Sequence, residues 1–268
     1  MAHNIYDNFY LSNEVEDQFN SHLDLQQFCT IDNSLEGVAG MKRIINTYRA
    51  TDGTEKLTLG EGNTKAIEVS LTPDEYVIAL AQNRFKYFDE QAMQDPMLVP
   101  VGMKHAGTDM FNTVQGDIYG EFNKTGLVVP CTAFDFDAFV DAIAALNLEA
   151  DEEVNIFAFV SPKDKAKVRK ALKDDLKYIE DYAKTGYIGT VAGVNLYTKK
   201  DATEGTIIVA TKEAVTIFTK TGVEVEQVGK DNRSENAANT RENNVFSRKY
   251  YVVALTNESK AVKLTIGA

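Results

Sequence analysis

The side chains able to do chemistry are few and scattered along the chain. The three histidines, His3, His22 and His105, lie far apart, and Cys29 and Cys131 show no C-x-x-C spacing. A Cys131–His105 pair would supply a thiolate and its base. It would also need a third group to orient the imidazole, and the sequence places none beside it, so a buried structural cysteine is the plainer assignment. Asp135-Phe-Asp137 with Asp141 has the look of a calcium loop but lacks the central Gly and the terminal Glu; Asp135 suits a helix cap. Gly60-Glu-Gly62 lacks the third glycine of a dinucleotide cradle and fits a turn or bulge. No G-x-x-x-x-G-K-[ST], H-E-x-x-H or G-x-S-x-G occurs. The basic stretch Lys163, Lys165, Lys167, Arg169, Lys170 and Lys173 reads as a solvated helix face balanced by Asp164, Asp174 and Asp175. These residues nominate no catalytic, cofactor-binding or metal-binding group, and no cofactor. The cysteine usage suits a reducing compartment without a disulfide framework.

The elements that would position them run as follows. Residues 1–36 carry one weak helical stripe, Val15, Phe19 and Leu23, and too little apolar mass to fold alone. Ile44, Ile45 and Tyr48 lead into Asp52-Gly53, with Leu57 and Leu59 after it, which predicts a hairpin on a two-residue turn. That register sets Tyr48 opposite Leu57 and Arg49 opposite Lys56, a like-charge pair that asks for acidic relief. A third strand is expected at Ala66–Leu71, and extended chain from Asp74 to Phe88. Asp95-Pro96 opens a long helix striped by Met103, Met110, Val114, Ile118 and Phe122 and stopped by Gly126 and Pro130. Pro100 either kinks its first turn or delays its start to about residue 99. Asp135 caps a helix with Phe136, Phe139, Val140, Ile143 and Leu146 inward. Val154–Val160 fits a buried central strand, and Ser161-Pro162 starts the next helix. Strand patterns follow at 189–198, 206–210, 214–218 and 223–228, then a polar loop at 230–244. Phe246–Leu255 and Val262, Leu264, Ile266 around Asn257–Lys260 predict a closing hairpin.

Two hundred and sixty-eight residues with 44% hydrophobic and 25% charged content can bury a sizeable core. No apolar run approaches the roughly 20 residues of a membrane span, and Met1–Tyr10 does not read as a signal peptide, so the expected setting is the cytoplasm of the producing cell. Of the net charge of −12, seven units fall in residues 1–41, which contain no Lys or Arg. Such a balance argues against binding nucleic acid through its phosphates. An acidic arm followed by an overlong, thinly apolar β excursion favours an assembly subunit over a monomeric enzyme.

In order along the chain, Glu61-Gly-Asn-Thr-Lys-Ala-Ile-Glu-Val-Ser70, Glu75-Tyr76, Gln82-Asn-Arg-Phe85, Tyr87-Phe-Asp-Glu-Gln91, Gly189-Thr-Val-Ala-Gly193-Val and the closing strands of 246–266 resemble the major capsid proteins of tailed bacteriophages, with the Hong Kong 97-type fold. No single segment is a signature; the order of unusual parts carries the resemblance. It implies an α+β fold with an N-terminal arm at 1–36, an extended β-hairpin loop at 37–72, and a peripheral domain with a long spine helix at 73–130. An axial α/β domain at 131–228 and return strands of the peripheral domain at 229–268 complete it.

The function so implied is that of a coat protein, not an enzyme, self-assembling into hexamers and pentamers of an icosahedral shell. The shell would enclose double-stranded DNA without sequence-specific binding, with portal and scaffolding proteins as partners and no membrane. With only 36 residues before the extended loop, a separate scaffolding protein, or none, is expected over a fused one. The place is the virion capsid, assembled in the host bacterial cytoplasm. The alternative is an encapsulin-type shell enclosing a cargo enzyme, and a third reading is a small-molecule enzyme on the axial domain. Inter-subunit contacts are expected between the acidic arm (Glu14, Glu16, Asp17) and the basic hairpin (Arg43, Arg49, Lys56).

Overall fold

The computed structural model describes residues 24–148, 155–173 and 189–267, without the side chains of 46–50. The strands are β1 (Thr30–Asp32), β2 (Lys42–Ala50), β3 (Val69–Val77), β4 (Ala79–Phe88), β5 (Val128–Cys131) and β6 (Phe157–Val160). They continue with β7 (Thr190–Val191), β8 (Val194–Thr198), β9 (Thr206–Ala210), β10 (Val215–Val228), β11 (Glu242–Leu255) and β12 (Ala261–Ile266). The helices are α1 (Asp89–Gln94), α2 (Leu98–Phe122), α3 (Phe136–Leu146), α4 (Pro162–Ala171) and α5 (Glu235–Thr240).

They form a four-stranded sheet β1-β10-β11-β4, a six-stranded sheet β5-β12-β9-β6-β8-β7 and the two-stranded ribbon β2-β3. The long helix begins at Leu98, so Pro100 sits in its first turn, where its missing N–H is harmless. All five stripe residues, Met103 to Phe122, are buried. Gly102 lies against the ring of Phe85, where a Cβ would collide, and this lets β4 close onto the helix.

Strand β6 shows why the core is two-layered. Phe157 and Phe159 point toward α2 and join Phe28 and Phe122 in one aromatic cluster, while Ala158 and Val160 face Phe139, Leu146 and Val168 on the other side. Phe28 and Phe157 have ring centroids 4.8 Å apart, and Phe122 meets Phe159 at 5.4 Å. Phe28 comes from a 3-10 turn, Leu25–Phe28, whose Leu25 N–H donates to Gln115 Oε1 at 2.8 Å. The end of the acidic arm thus packs on its own chain; residues 1–23, with Glu14, Glu16 and Asp17, lie outside the described residues.

Three expectations are corrected. Strands β11 and β12 do not pair with each other: β11 lies between β10 and β4, and β12 between β5 and β9. The 3-10 turn at Glu258–Lys260 carries the chain from one sheet to the other, and the alternation that fixes each strand's buried face does not choose its partner. Strand β10 runs unbroken from Val215 to Val228 and absorbs the two short strands expected there, bulging between Thr219 and Thr221 and again before Glu224. In α3, Phe139 and Leu146 are buried as expected, but Phe136 and Val140 are exposed at 49% and 43%; the buried face is Ala138, Phe139, Ala142 and Leu146.

Candidate functional site

The part of the molecule left unfinished is the β2–β3 ribbon. Its register runs from Lys42 opposite Val77 to Ala50 opposite Val69. Arg49 is therefore opposite Ser70, not Lys56, and the turn at Asp52-Gly53 is not used. Residues 51–68 instead form a loop closed by polar contacts. Thr51 N donates to Glu68 O at 3.0 Å, Thr64 N and Oγ1 both donate to the Glu55 carboxylate at 2.8 Å, and Asn63 Nδ2 donates to Lys65 O at 2.7 Å. Gly53 packs so close to Ile67 that an added Cβ would stand 2.6 Å from Ile67 Cγ1. The Thr64 N–H and hydroxyl hold the Glu55 carboxyl below its usual range, and the Thr58 hydroxyl and N–H do the same for Glu61.

The ribbon and its loop carry exposed apolar side chains along their whole length. Leu59 is fully exposed, and Ile44, Leu57, Ile67, Val69, Leu71 and Val77 are about half exposed or more. A two-stranded ribbon with both faces in water is marginal by itself.

The ribbon's root is the well-anchored end. The Tyr76 ring stacks on Phe218 of β10 at 5.3 Å, and burial, with Asp74 and Glu121 nearby, raises the phenol's pKa. Arg43 Nε stands 3.6 Å from the Asp32 carboxylate, and Lys42 Nζ is 2.9 Å from Glu75. Hydrogen bonds from Ser34, with the Arg43 charge behind them, hold Asp32 below the ordinary aspartate range. Of the expected contact residues, Arg43 thus meets an acid of its own chain and Lys56 stands exposed in the loop. The side chain of Arg49 is among those not described. Asp32, Tyr76 and Phe218 were missed by sequence reasoning, which sought charge at the tip; the signal available was opposite charge on either side of Gly37 and Gly40.

Among the described residues, two further concave surfaces and one basic helix face stand out beyond the ribbon. A groove of about 580 Å³ between α2 and the β4–β11 strands is lined by Ala79, Ala81, Gly116, Gly120 and Val253. Its polar lining is Thr113, Glu121, Lys124 and the pair Tyr251–Asp117, in which the Tyr251 hydroxyl donates to Asp117 Oδ2 at 2.6 Å; burial and that acceptor push the Tyr251 pKa up, the wrong direction for a base or nucleophile. The cleft between α3, α4 and β7 presents Asp135, already used as helix cap to the Ala138 N–H at 3.0 Å, and Asp137. Among the described residues no three His, Cys, Asp or Glu side chains converge on a metal-sized site. The basic helix α4 is engaged locally: Lys163 pairs with Glu204, Lys167 with Asp164, and Lys165 donates to Thr198.

The sequence matches no family model and no curated protein. Its fold is similar to solved structures. A capsid subunit of the cyanophage P-SCSP1u is 12% identical, with a TM-score of 0.67 over 90% of this chain and 86% of that one. A subunit of the capsid of a native GTA particle is 13% identical, with a TM-score of 0.69 over 91% and 90%. The virus-like particle from Pyrococcus furiosus is 12% identical, with a TM-score of 0.64 over 95% and 97%. A likeness that spans nine-tenths of the chain at such low identity is a likeness of fold: the chain has the α+β Hong Kong 97-type capsid fold.

Proposed function

We propose that this chain is the major coat subunit of a tailed-phage capsid, many copies closing as hexamers and pentamers into an icosahedral shell around double-stranded DNA. The observation that carries it is the β2–β3 ribbon with its loop, a long projection whose apolar residues are uncovered in the single chain. Neighbouring copies would cover them, so part of the folding free energy is released only on assembly. In this reading α2 with the four-stranded sheet is the peripheral domain. The six-stranded sheet with α3 and α4 is the axial domain that meets its copies at the symmetry axes; against the expected bounds of 131–228 it gains β12 and cedes β10 to the peripheral domain. The acidic balance suits a wall that encloses DNA without adhering to it. The role is structural and not enzymatic, the shell is built in the host cytoplasm, and portal and scaffolding proteins are its partners.

Glu14, Glu16 and Asp17 of one copy would pair with Arg49 and Lys56 of the next, while Arg43 stays with its own Asp32. Each exposed pair is worth only ~0–1 kcal/mol, but the shell repeats it in every subunit.

The test is electron microscopy and sedimentation of the purified chain at micromolar concentration. Shells or capsomers are expected, and Leu59→Glu should leave the melting temperature unchanged while raising the concentration needed to assemble. Reversing Arg49 and Lys56 to Glu should do so most at about 20 mM salt, where the Debye length is roughly 20 Å, and least at about 500 mM. A chain that stays monomeric in both salts, with its scaffolding protein present, overturns the reading. The full-length likeness to the Pyrococcus furiosus particle favours a second reading, an encapsulin-type compartment; nucleic acid inside purified particles selects the first, cargo protein the second.

A further inference from the structure

We propose that Lys220 is a latch that sets the angle at which the β2–β3 ribbon leaves the four-stranded sheet, with Gly37 and Gly40 as its hinge. The chain passes from β1 to β2 through residues 33–41. Gly37 and Gly40 hold φ of +69° and +122°, and an added Cβ would meet nothing within 4 Å at either. Their glycine identity therefore serves backbone conformation and not packing. Between and beside them Val38 and Met41 are exposed, so the segment has no apolar anchor of its own after Leu35.

What grips it is a side chain from β10. Lys220 Nζ donates to Gly40 O at 2.6 Å and to Val38 O at 2.5 Å, the carbonyls at and next to the hinge. Lys220 reaches them because it is the extra residue of a bulge: Thr219 pairs with Tyr251 and Thr221 with Tyr250, leaving Lys220 without a ladder partner. A bulge re-aims the side chain it carries. Two charge-assisted hydrogen bonds from one ammonium form a fixed point, and they are the strong kind.

Of the other contacts at the root, the buried Ile78 fixes the join of β3 to β4, the point about which the ribbon would swing, and the rest are weaker holds or move with the ribbon. The Ile78 N–H to Met41 O bond, 2.8 Å, closes the ribbon on itself and would travel with it. Arg43 to Asp32 at 3.6 Å exceeds hydrogen-bond length, and the Tyr76–Phe218 stack at 5.3 Å is a ring contact without a hydrogen bond. Lys220 is thus a positioning residue. It holds the hinge carbonyls to a strand buried in the sheet, and releasing it loosens the β1–β2 side of the root while Ile78 keeps its buried seat.

The test uses the full chain in its unassembled state, confirmed by sedimentation, and reads amide exchange by peptide. Lys220→Met should speed exchange in peptides covering 36–45 and 74–80 by about tenfold or more, leaving α2 and 206–218 at wild-type rates. Lys220→Arg, which keeps a cation and several donors, should stay within about twofold of wild type. As a second measurement, spin labels at Thr72→Cys and Lys104→Cys in a Cys131→Ser background should give one narrow distance distribution in the parent and a broad one with Lys220→Met. If Lys220→Met is not recovered folded, Gly40→Ala, strained at φ +122° with Lys220 intact, should show the same local quickening. Wild-type exchange and a narrow distribution in these variants overturn the proposal, as does quickening that spreads equally into α2.

Discussion

Asp164 accepts the backbone N–H of Gly205 at 2.9 Å across 41 positions of chain, fastening the first turn of α4 to the turn that precedes β9. The same fully buried carboxylate takes Ser161 Oγ at 2.7 Å and Lys167 Nζ at 2.7 Å. Burial by itself would raise the Asp164 pKa; the bonds from Lys167, Ser161 and Gly205 outweigh it and hold the carboxyl below the ordinary aspartate value. A lowered folded pKa stabilises above the unfolded value of about 3.9, and that contribution fades as pH falls through it toward the folded value. Asp164→Asn is expected to lose about 2–4 kcal/mol at pH 7 in denaturant titrations, with the difference from wild type shrinking below about pH 4. An unchanged midpoint at pH 7 would contradict this.

Arg233 binds Asp89 at 2.6 Å and Asn243 Oδ1 at 2.7 Å, and Asn243 Nδ2 returns a bond to Asp89 at 2.7 Å. This triangle pins the 229–241 loop to the start of α1, and the Arg233 bond leads the causes that lower the Asp89 pKa. Arg233→Met should lower the melting temperature by several degrees and expose 229–241 to protease. A double-mutant cycle with Asp89→Asn should return a coupling of about 1–3 kcal/mol; additive effects would show the contact to be idle.

The two faces of β6 should fail in opposite ways. Phe159→Ala opens a void in the aromatic cluster and should cost about 3–5 kcal/mol. Ala158→Phe overfills the side facing Phe139 and Val168 and should cost about 1–3 kcal/mol or more. Leu146→Asp and Phe157→Asp, each at a buried position, should abolish soluble folding by burying an uncompensated charge. Normal melts for these aspartate variants would place the core elsewhere.

Burial pushes the Cys29 thiol up to about 12, with Asp24 adding and Lys212 opposing, whereas Cys131 is part-exposed and raised chiefly by milder burial. A thiol reagent at pH 8 should therefore label Cys131 at least about 100-fold faster than Cys29, with Cys29 reacting only through opening of the Leu25–Phe28 turn. Equal labelling would mean that this end of the arm is not docked.

Local periodicity and capping chemistry were legible without a structure. The stripe Met103–Phe122, the caps Asp135 and Ser161, and the all-buried run at Phe157–Val160 are one-dimensional consequences of where a helix or strand turns its side chains. The choice of strand partner was not legible. Phe246–Leu255 and Val262–Ile266 alternate as a hairpin should, yet a period of two reports only that one face is buried and never which sheet buries it. Asp52-Gly53 has the chemistry of a tight turn, but Gly53 is spent on its close approach to Ile67, so β2 pairs with Val69–Val77 instead. Phe136 and Val140 are apolar at helical spacing and still face water, because the small residues Ala138 and Ala142 bring α3 close to the sheet along a different line. Sequence alone determined the long helix, the capped helices α3 and α4 and the buried β6 run, since these rest on contacts a few residues apart; it did not mark β1, β5, α1 or the helix α5 inside the expected polar loop at 230–244. The tertiary structure alone decided sheet membership, the ribbon's register and the grip of Lys220 on the hinge, since each of these depends on surfaces far apart in the chain that meet only after folding.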